Sequence, residues 1–185
     1  MKRPTLILIL ILALMALGAC TKQSLKTTYD KQTTYIENFI SSQMKSDTNA
    51  TLTKISGSYR LTLHDTLDVR RDSLLPGGKV ALYYACYTLT SASLSKSNLV
   101  STNKRDIAES AGWSLTDTTR YQVDTLTLDS SLVKGLQAGL EGVQEEDESY
   151  ILFTGEYGYG AKERGTIPAR SALVYHIWVN SISNE

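Results

Sequence analysis

The order of apolar patterns in this sequence predicts an α+β fold in which one short helix packs on an antiparallel sheet. Three observations carry the prediction. Tyr59-Arg60-Leu61-Thr62-Leu63 and the stretch Arg120 to Leu128 alternate at period two, as half-buried strands do. Lys79 to Leu89 is apolar on both faces and rich in β-formers, which suits a central strand. Between these strands and two further ones lies one segment of helical length, so strands, helix and strands follow in that order. The 185 residues suffice for one domain and a tail, and the 42% hydrophobic content is that of a globular chain. Nineteen basic residues match nineteen acidic ones, which argues against nucleic acid as the main partner. Eleven Tyr against two Phe suit strands and half-wet pockets, where a ring is buried and its hydroxyl finds a partner.

The first nineteen residues read as a leader rather than fold. Lys2 and Arg3 precede an almost unbroken apolar run, Leu6 to Leu17, which at twelve residues is short of the roughly 20 that a spanning helix needs. The run ends in Leu17-Gly18-Ala19-Cys20, which resembles a bacterial lipobox. That resemblance implies cleavage before Cys20, a palmitate-type acyl chain on its thiol and a lipid-anchored protein of the cell envelope. No acidic cluster follows Cys20, which favours the periplasmic face. Loss of residues 1–19 leaves 17 basic against 19 acidic residues. The second cysteine, Cys86, has no partner for an intrachain disulfide and reads as a small buried hydrophobe.

Along the expected mature chain, residues 21–28 are polar and unpatterned and read as a tether. Tyr29, Thr33, Ile36, Phe39, Ile40 and Met44 recur at helical spacing, so an amphipathic helix is expected over about 29–45. Residues 20–48 thus form the lipidated cysteine, tether and helix, and residues 49–185 the domain. Pro76-Gly77-Gly78 is a turn, and residues 90–98 a loop. Asp129, Ser130 and Ser131 offer N-caps for a helix running to Leu140, with Gly142 as its stop. Tyr150 to Thr154 is a short strand. Gly155 to Arg170, with four Gly and one Pro, is a long loop, and Ala172 to Val179 the closing strand.

Three blocks in this half carry a resemblance. Leu132-Val133-Lys134-Gly135-Leu136-Gln137-Ala138-Gly139 is followed by Tyr157-Gly158-Tyr159-Gly160. Ile167-Pro168 then leads to Leu173-Val174-Tyr175. In order and spacing they resemble the FKBP-type peptidyl-prolyl isomerases: Val-Ile-x-Gly-Trp-x-x-Gly, Tyr-x-Tyr-Gly, and Ile-Pro before Leu-x-Phe. Lys79 to Tyr84 resembles the early strand of that family, and the match runs from 77 to 179. The resemblance implies a half-barrel sheet wrapped on a helix, an apolar pocket for a prolyl ring, proline-containing unfolded or exported polypeptides as partners, and no cofactor. It places Tyr84 on the pocket wall and Leu132 and Val133 at the helix start, with the Val133 N–H offered to a substrate carbonyl. Leu136 becomes the floor, Tyr159 a hydroxyl donor to the carbonyl beside the proline, Ile167 the cap and Tyr175 the closing residue. The chain departs from the pattern at the floor, where the family has Trp, and near Val100-Ser101, where it has Phe-Asp, so that Val100 stands at a substrate-binding position. Its last-strand Phe is here Tyr175.

No other chemistry competes. His64 and His176 are isolated, no metal-ligand spacing occurs, and the acidic run Glu145-Glu146-Asp147-Glu148 reads as a solvated loop. Trp113 and Trp178 read as packing residues, and nothing points to an obligate oligomer. Asp65-Thr66-Leu67, Asp72-Ser73-Leu74 and Asp124-Thr125-Leu126 resemble an O-glycosylation signal of Bacteroidetes-like bacteria. The pocket departures leave two readings: an envelope isomerase, or a weak or inactive binding and chaperone module on the same scaffold. An open cavity over Leu136, bounded by Tyr84, Tyr159 and Tyr175, favours the first. A pocket plugged by residues 90–120 favours the second.

Overall fold

The computed structural model describes the backbone of residues 3–63 and 72–185, with side chains from residue 23 onward. The side chains of residues 1–22 therefore lie outside it, as do residues 64–71. So the leader and Cys20 readings, His64 and the Asp65-Thr66-Leu67 pattern fall on residues that are not described. The chain divides into two compact units, Met1–Lys31 and Gln32–Glu185.

In the second unit, seven strands form one antiparallel sheet: β1 (Thr51–Ile55), β2 (Ser58–Leu63), β3 (Lys79–Thr88), β4 (Leu99–Thr102), β5 (Asp124–Thr127), β6 (Glu148–Phe153) and β7 (Leu173–Ser183). The order across the sheet is β1-β2-β6-β7-β3-β4, and β5 also pairs with β3. One edge of β3 is thus shared, with β5 along Lys79–Leu82 and β4 along Ala85–Tyr87. The expected strands at 59–63, 79–89, 150–154 and 172–179 are all present. β1 was not foreseen because Thr51-Leu52-Thr53-Lys54-Ile55 puts Leu52 and Lys54 on one face, so no apolar period marks it. Ser56 and Gly57 turn it into β2, both at positive φ (36° and 83°), as a two-residue type I′ hairpin requires.

The sheet is covered on both faces. Helix α1 spans Arg3–Ser46, so residues 23–28 are helical and not the irregular tether their polar sequence suggested. A run without an apolar stripe extends a helix already under way at little cost, since nucleation is the expensive step. From Gln32 onward, Ile36, Phe39 and Ile40 (the i, i+3, i+4 stripe) pack against Leu61, Leu152 and Val174. Phe39 meets the Tyr150 ring edge-on at 5.1 Å. Short helix α3 (Lys134–Leu140) covers the other face, where Leu136 and Leu140 join Leu82, Ile151, Phe153 and Ile177 in the main core.

α3 lies close to β6 because two glycines face the strand. A Cβ on Gly135 would come within 2.2 Å of the Phe153 ring, and one on Gly139 within 2.1 Å of Ile151 Cγ2. Its N-cap is Val133 and carries no side-chain bond; the Asp129 carboxylate instead accepts from the Ser131 N–H at 2.8 Å, making a local turn ahead of the helix. At its C-terminus Gly142 takes φ 80°, and Arg60 Nη1 donates to the Gly139 and Glu141 carbonyls at 3.1 and 2.6 Å.

An insertion between β4 and β5 holds a second short helix, α2 (Arg105–Ser110), that the sequence pattern did not reveal. Trp113 lies in it, half-buried, with the Arg120 guanidinium 5.0 Å from its ring. On the sheet face opposite α3, His176 stacks between Tyr150 (4.0 Å) and Trp178 (3.8 Å) and bonds Glu148 at 2.8 Å, so both residues serve packing as expected. Ser73, of the second glycosylation-like pattern, bridges to Gln144, whereas Thr125 of the third is exposed.

Candidate active site

Period-two strand geometry brings the site residues together. In β3, Leu82, Tyr84 and Cys86 share the face that α3 covers; in β7, Tyr175 and Ile177 do. Between these strands, the start of α3 and the loop 155–170 lies a cavity of 330 Å³. Leu136 lies in its floor, and Tyr84, Leu132, Val133, Tyr159, Ile167 and Tyr175 line it. All seven residues that the sequence singled out in the helix, loop and strand blocks thus meet at one place. Val100 does not. It packs against the main core at a β-bulge, where Cys86 pairs with Ser101 and Tyr87 with Leu99, and its neighbour Ser101 lines the cavity.

Hydroxyls give the pocket its character. The Tyr84 and Ser101 hydroxyls are 3.0 Å apart. Tyr175 is tilted against Tyr84 (6.2 Å between rings) and stacked on Phe153 (6.0 Å). Burial, with Cys86 and Tyr159 beside it, pushes the Tyr175 phenol far above its usual range, so it stays protonated. Burial pushes the Cys86 thiol up to about 12, and the thiol is 1% exposed. It is therefore no thiolate at neutral pH, and Cys86 behaves as the buried hydrophobe its sequence context predicted.

The loop carrying Tyr159 and Ile167 is tied down at several points. The Gly135 N–H donates to the Tyr157 carbonyl at 2.8 Å, fastening the loop to the start of α3. The Tyr157 ring covers Gly57, where a Cβ would fall 2.1 Å from it. At the loop's neck, Gly155 N–H donates to Gln32 Oε1 at 2.9 Å while Gln32 Nε2 donates to the Arg170 carbonyl at 2.6 Å. Near its tip, Arg164 and Ile167 exchange both backbone bonds (3.0 and 2.9 Å) around Gly165, whose φ is 56°. Among the described residues the Val133 N–H donates to no protein acceptor, as befits the open first turn of a helix.

Sequence reasoning overlooked four polar lining residues: Ser101, Asp124, Ser131 and Arg164. Asp124 had a signal, since it lies two residues before Leu126 and four before Leu128 and so shares their inward face. Arg164 had none, because loop direction is not written in periodicity.

The site is thus an apolar cavity ringed by hydroxyls, held between a half-barrel sheet and one short helix. Residues 111–180 match the family model "FKBP-type peptidyl-prolyl cis-trans isomerase". Over these residues the chain is similar to that family.

Solved structures agree on the fold. A peptidyl-prolyl cis-trans isomerase from Pseudomonas syringae pv. tomato superposes with a TM-score of 0.57 at 13% identity, covering 86% of this chain and 96% of that one. FkpA from Escherichia coli gives 0.54 at 12%, covering 99% and 74%. The three FKBP domains of wheat FKBP73 give 0.55 at 13%, covering 72% of this chain; the match spans about half of the wheat chain (51%). No curated protein matches the sequence.

Proposed function

We propose that this protein is a lipid-anchored isomerase of the cell envelope, facing the periplasm, which helps exported polypeptides past slow X–Pro bonds. The observation that carries the reading is the open cavity over Leu136, walled by Tyr84, Tyr159 and Tyr175, to which residues 90–120 contribute only Ser101. The Leu17-Gly18-Ala19-Cys20 motif supports the anchor, with lipid on Cys20. Among the described residues no helix is long and apolar enough to cross a membrane.

The chemistry needs no covalent step. Amide resonance sets a rotation barrier of about 18–20 kcal/mol, and water favours the planar, charge-separated form. A prolyl ring seated on Leu136 leaves its amide in a dry site, which favours the twisted state if the carbonyl keeps a donor. The Tyr159 hydroxyl and the Val133 N–H supply donors, and Ile167, Leu132 and Tyr175 exclude water. Lowering the barrier by about 4 kcal/mol gives roughly a thousandfold acceleration.

One observation favours a second reading, a binding or chaperone module with slow turnover: the floor is the aliphatic Leu136 and the wall carries Ser101 and Asp124, so the grip on proline is weaker. A protease-free refolding assay with a proline-limited client separates the two. Acceleration by the full chain in detergent that falls about tenfold in Tyr159→Phe, the loss of one hydrogen bond in the transition state, supports the isomerase. No acceleration by folded protein sinks it. Labelling with radioactive palmitate, abolished in Cys20→Ala, checks the anchor.

A further inference from the structure

Two opposite charges line the cavity and have no partner. Asp124 ends β5, held by its register opposite Leu82, and Arg164 stands in the Arg164–Ile167 turn of the loop. Among the described residues neither side chain makes an ion pair, with the other or with any third group. The remaining polar lining residues are Ser101, Ser131 and the three tyrosines. Both charged residues are exposed, so they sit at the mouth, where the residues flanking a seated proline must pass.

We propose that Asp124 and Arg164 make this pocket selective for prolines flanked by one acidic and one basic residue. This rests on the isomerase reading above and adds its substrate class. The pocket floor has the aliphatic Leu136 in place of an aromatic ring, so a larger share of recognition falls to the mouth. Charges there act mainly through complementarity, attracting one sign on each side and penalising the other. The two charges stand on separate supports, a strand end and a braced turn, so they do not neutralise each other. The order of the flanking charges along the peptide follows from which wall each residue meets. Only one order can satisfy both, and the reverse order meets like charge twice.

The test compares three peptides that differ only around proline, Glu-Pro-Lys, Lys-Pro-Glu and Leu-Pro-Leu, by magnetisation exchange with the full chain in detergent. One charged order should be turned over about threefold or more faster than the neutral peptide, and the other slower, the size expected of exposed pairs. The preference should shrink in 1 M salt, where screening acts within about 3 Å. It should invert in the double variant Asp124→Lys/Arg164→Glu, read as the ratio of the two charged peptides within each protein. If all three peptides are turned over alike, the selectivity is overturned and the isomerase stands. If none is turned over, both fall together.

Discussion

Asn103 and Tyr84 grip each other twice: Asn103 Oδ1 accepts the Tyr84 N–H at 2.6 Å, and the Asn103 N–H donates to the Tyr84 carbonyl at 3.2 Å. The same side chain sends Nδ2 to the Leu82 and Gln122 carbonyls, both at 3.0 Å. One amide thereby closes the whole insertion between β4 and β5 and fixes the strand segment from which Tyr84 reaches the cavity. Asn103 is 5% exposed, so no solvent replaces those bonds.

Asn103→Ala should therefore cost about 2–4 kcal/mol, because it strands a buried N–H and buried carbonyls rather than deleting a neutral pair. Urea denaturation of the full chain measures it. A change below half a kcal/mol would show the insertion to be held by other bonds.

Gly139→Ala should destabilise although alanine is the better helix former by about 1 kcal/mol. Its Cβ would meet Ile151 Cγ2, a fully buried atom that cannot move away freely. Overpacking costs about 1–3 kcal/mol. Ile151→Ala should cost less in the Gly139→Ala background than alone, and a double-mutant cycle reads that coupling.

His176 makes stability depend on pH. Burial lowers its pKa below 6.5, outweighing the bond and charge of Glu148, and Lys104, whose Nζ lies 4.9 Å from the Trp178 ring, lowers it further. The unfolded chain then binds a proton more readily than the folded one. The contribution of neutral His176 is complete above about pH 6.5 and is lost as pH falls toward the folded value. Wild type should lose more stability between pH 7.5 and 5 than His176→Gln, measured as urea midpoints. Equal losses would contradict the assignment.

Leu136→Trp should raise turnover of prolyl peptides about fivefold by giving the floor an aromatic face. A rise in kcat/KM with an unchanged fold, followed by near-UV dichroism, would locate the weakness of the native pocket at this position. A fall would mean that Leu136 is fitted to a smaller ring contact.

Much of the site was legible through ordered sequence blocks that resemble a known family, and these blocks fall on strands, a helix start and one loop. Tyr84, Tyr175, Leu132, Val133 and Leu136 were placed by the resemblance of their blocks, and the strands and the start of α3 bring them to one cavity. The misreadings have local causes. Val100 was placed without knowing that the β3–β4 pairing is bulged there, with Cys86 opposite Ser101 and Tyr87 opposite Leu99. The helix cap was assigned to hydroxyls and a carboxylate that prefer to turn the chain ahead of Val133. Leu52 and Ile55 of β1 fall on opposite faces, so the edge strand is recognised only through its partner β2.

The Gln32 amide has a bearing on where a working fragment can begin. It latches both ends of the loop that presents Tyr159 and Ile167, yet it lies nineteen residues before the sheet starts. A truncation at Ala50 would keep all seven strands and every cavity-lining side chain. It would also leave the Gly155 N–H and the Arg170 carbonyl without their bracket, and the Leu61, Leu152 and Val174 face bare. The smallest fragment that keeps this loop in place is therefore set by a clasp in the N-terminal helix, well outside residues 111–180.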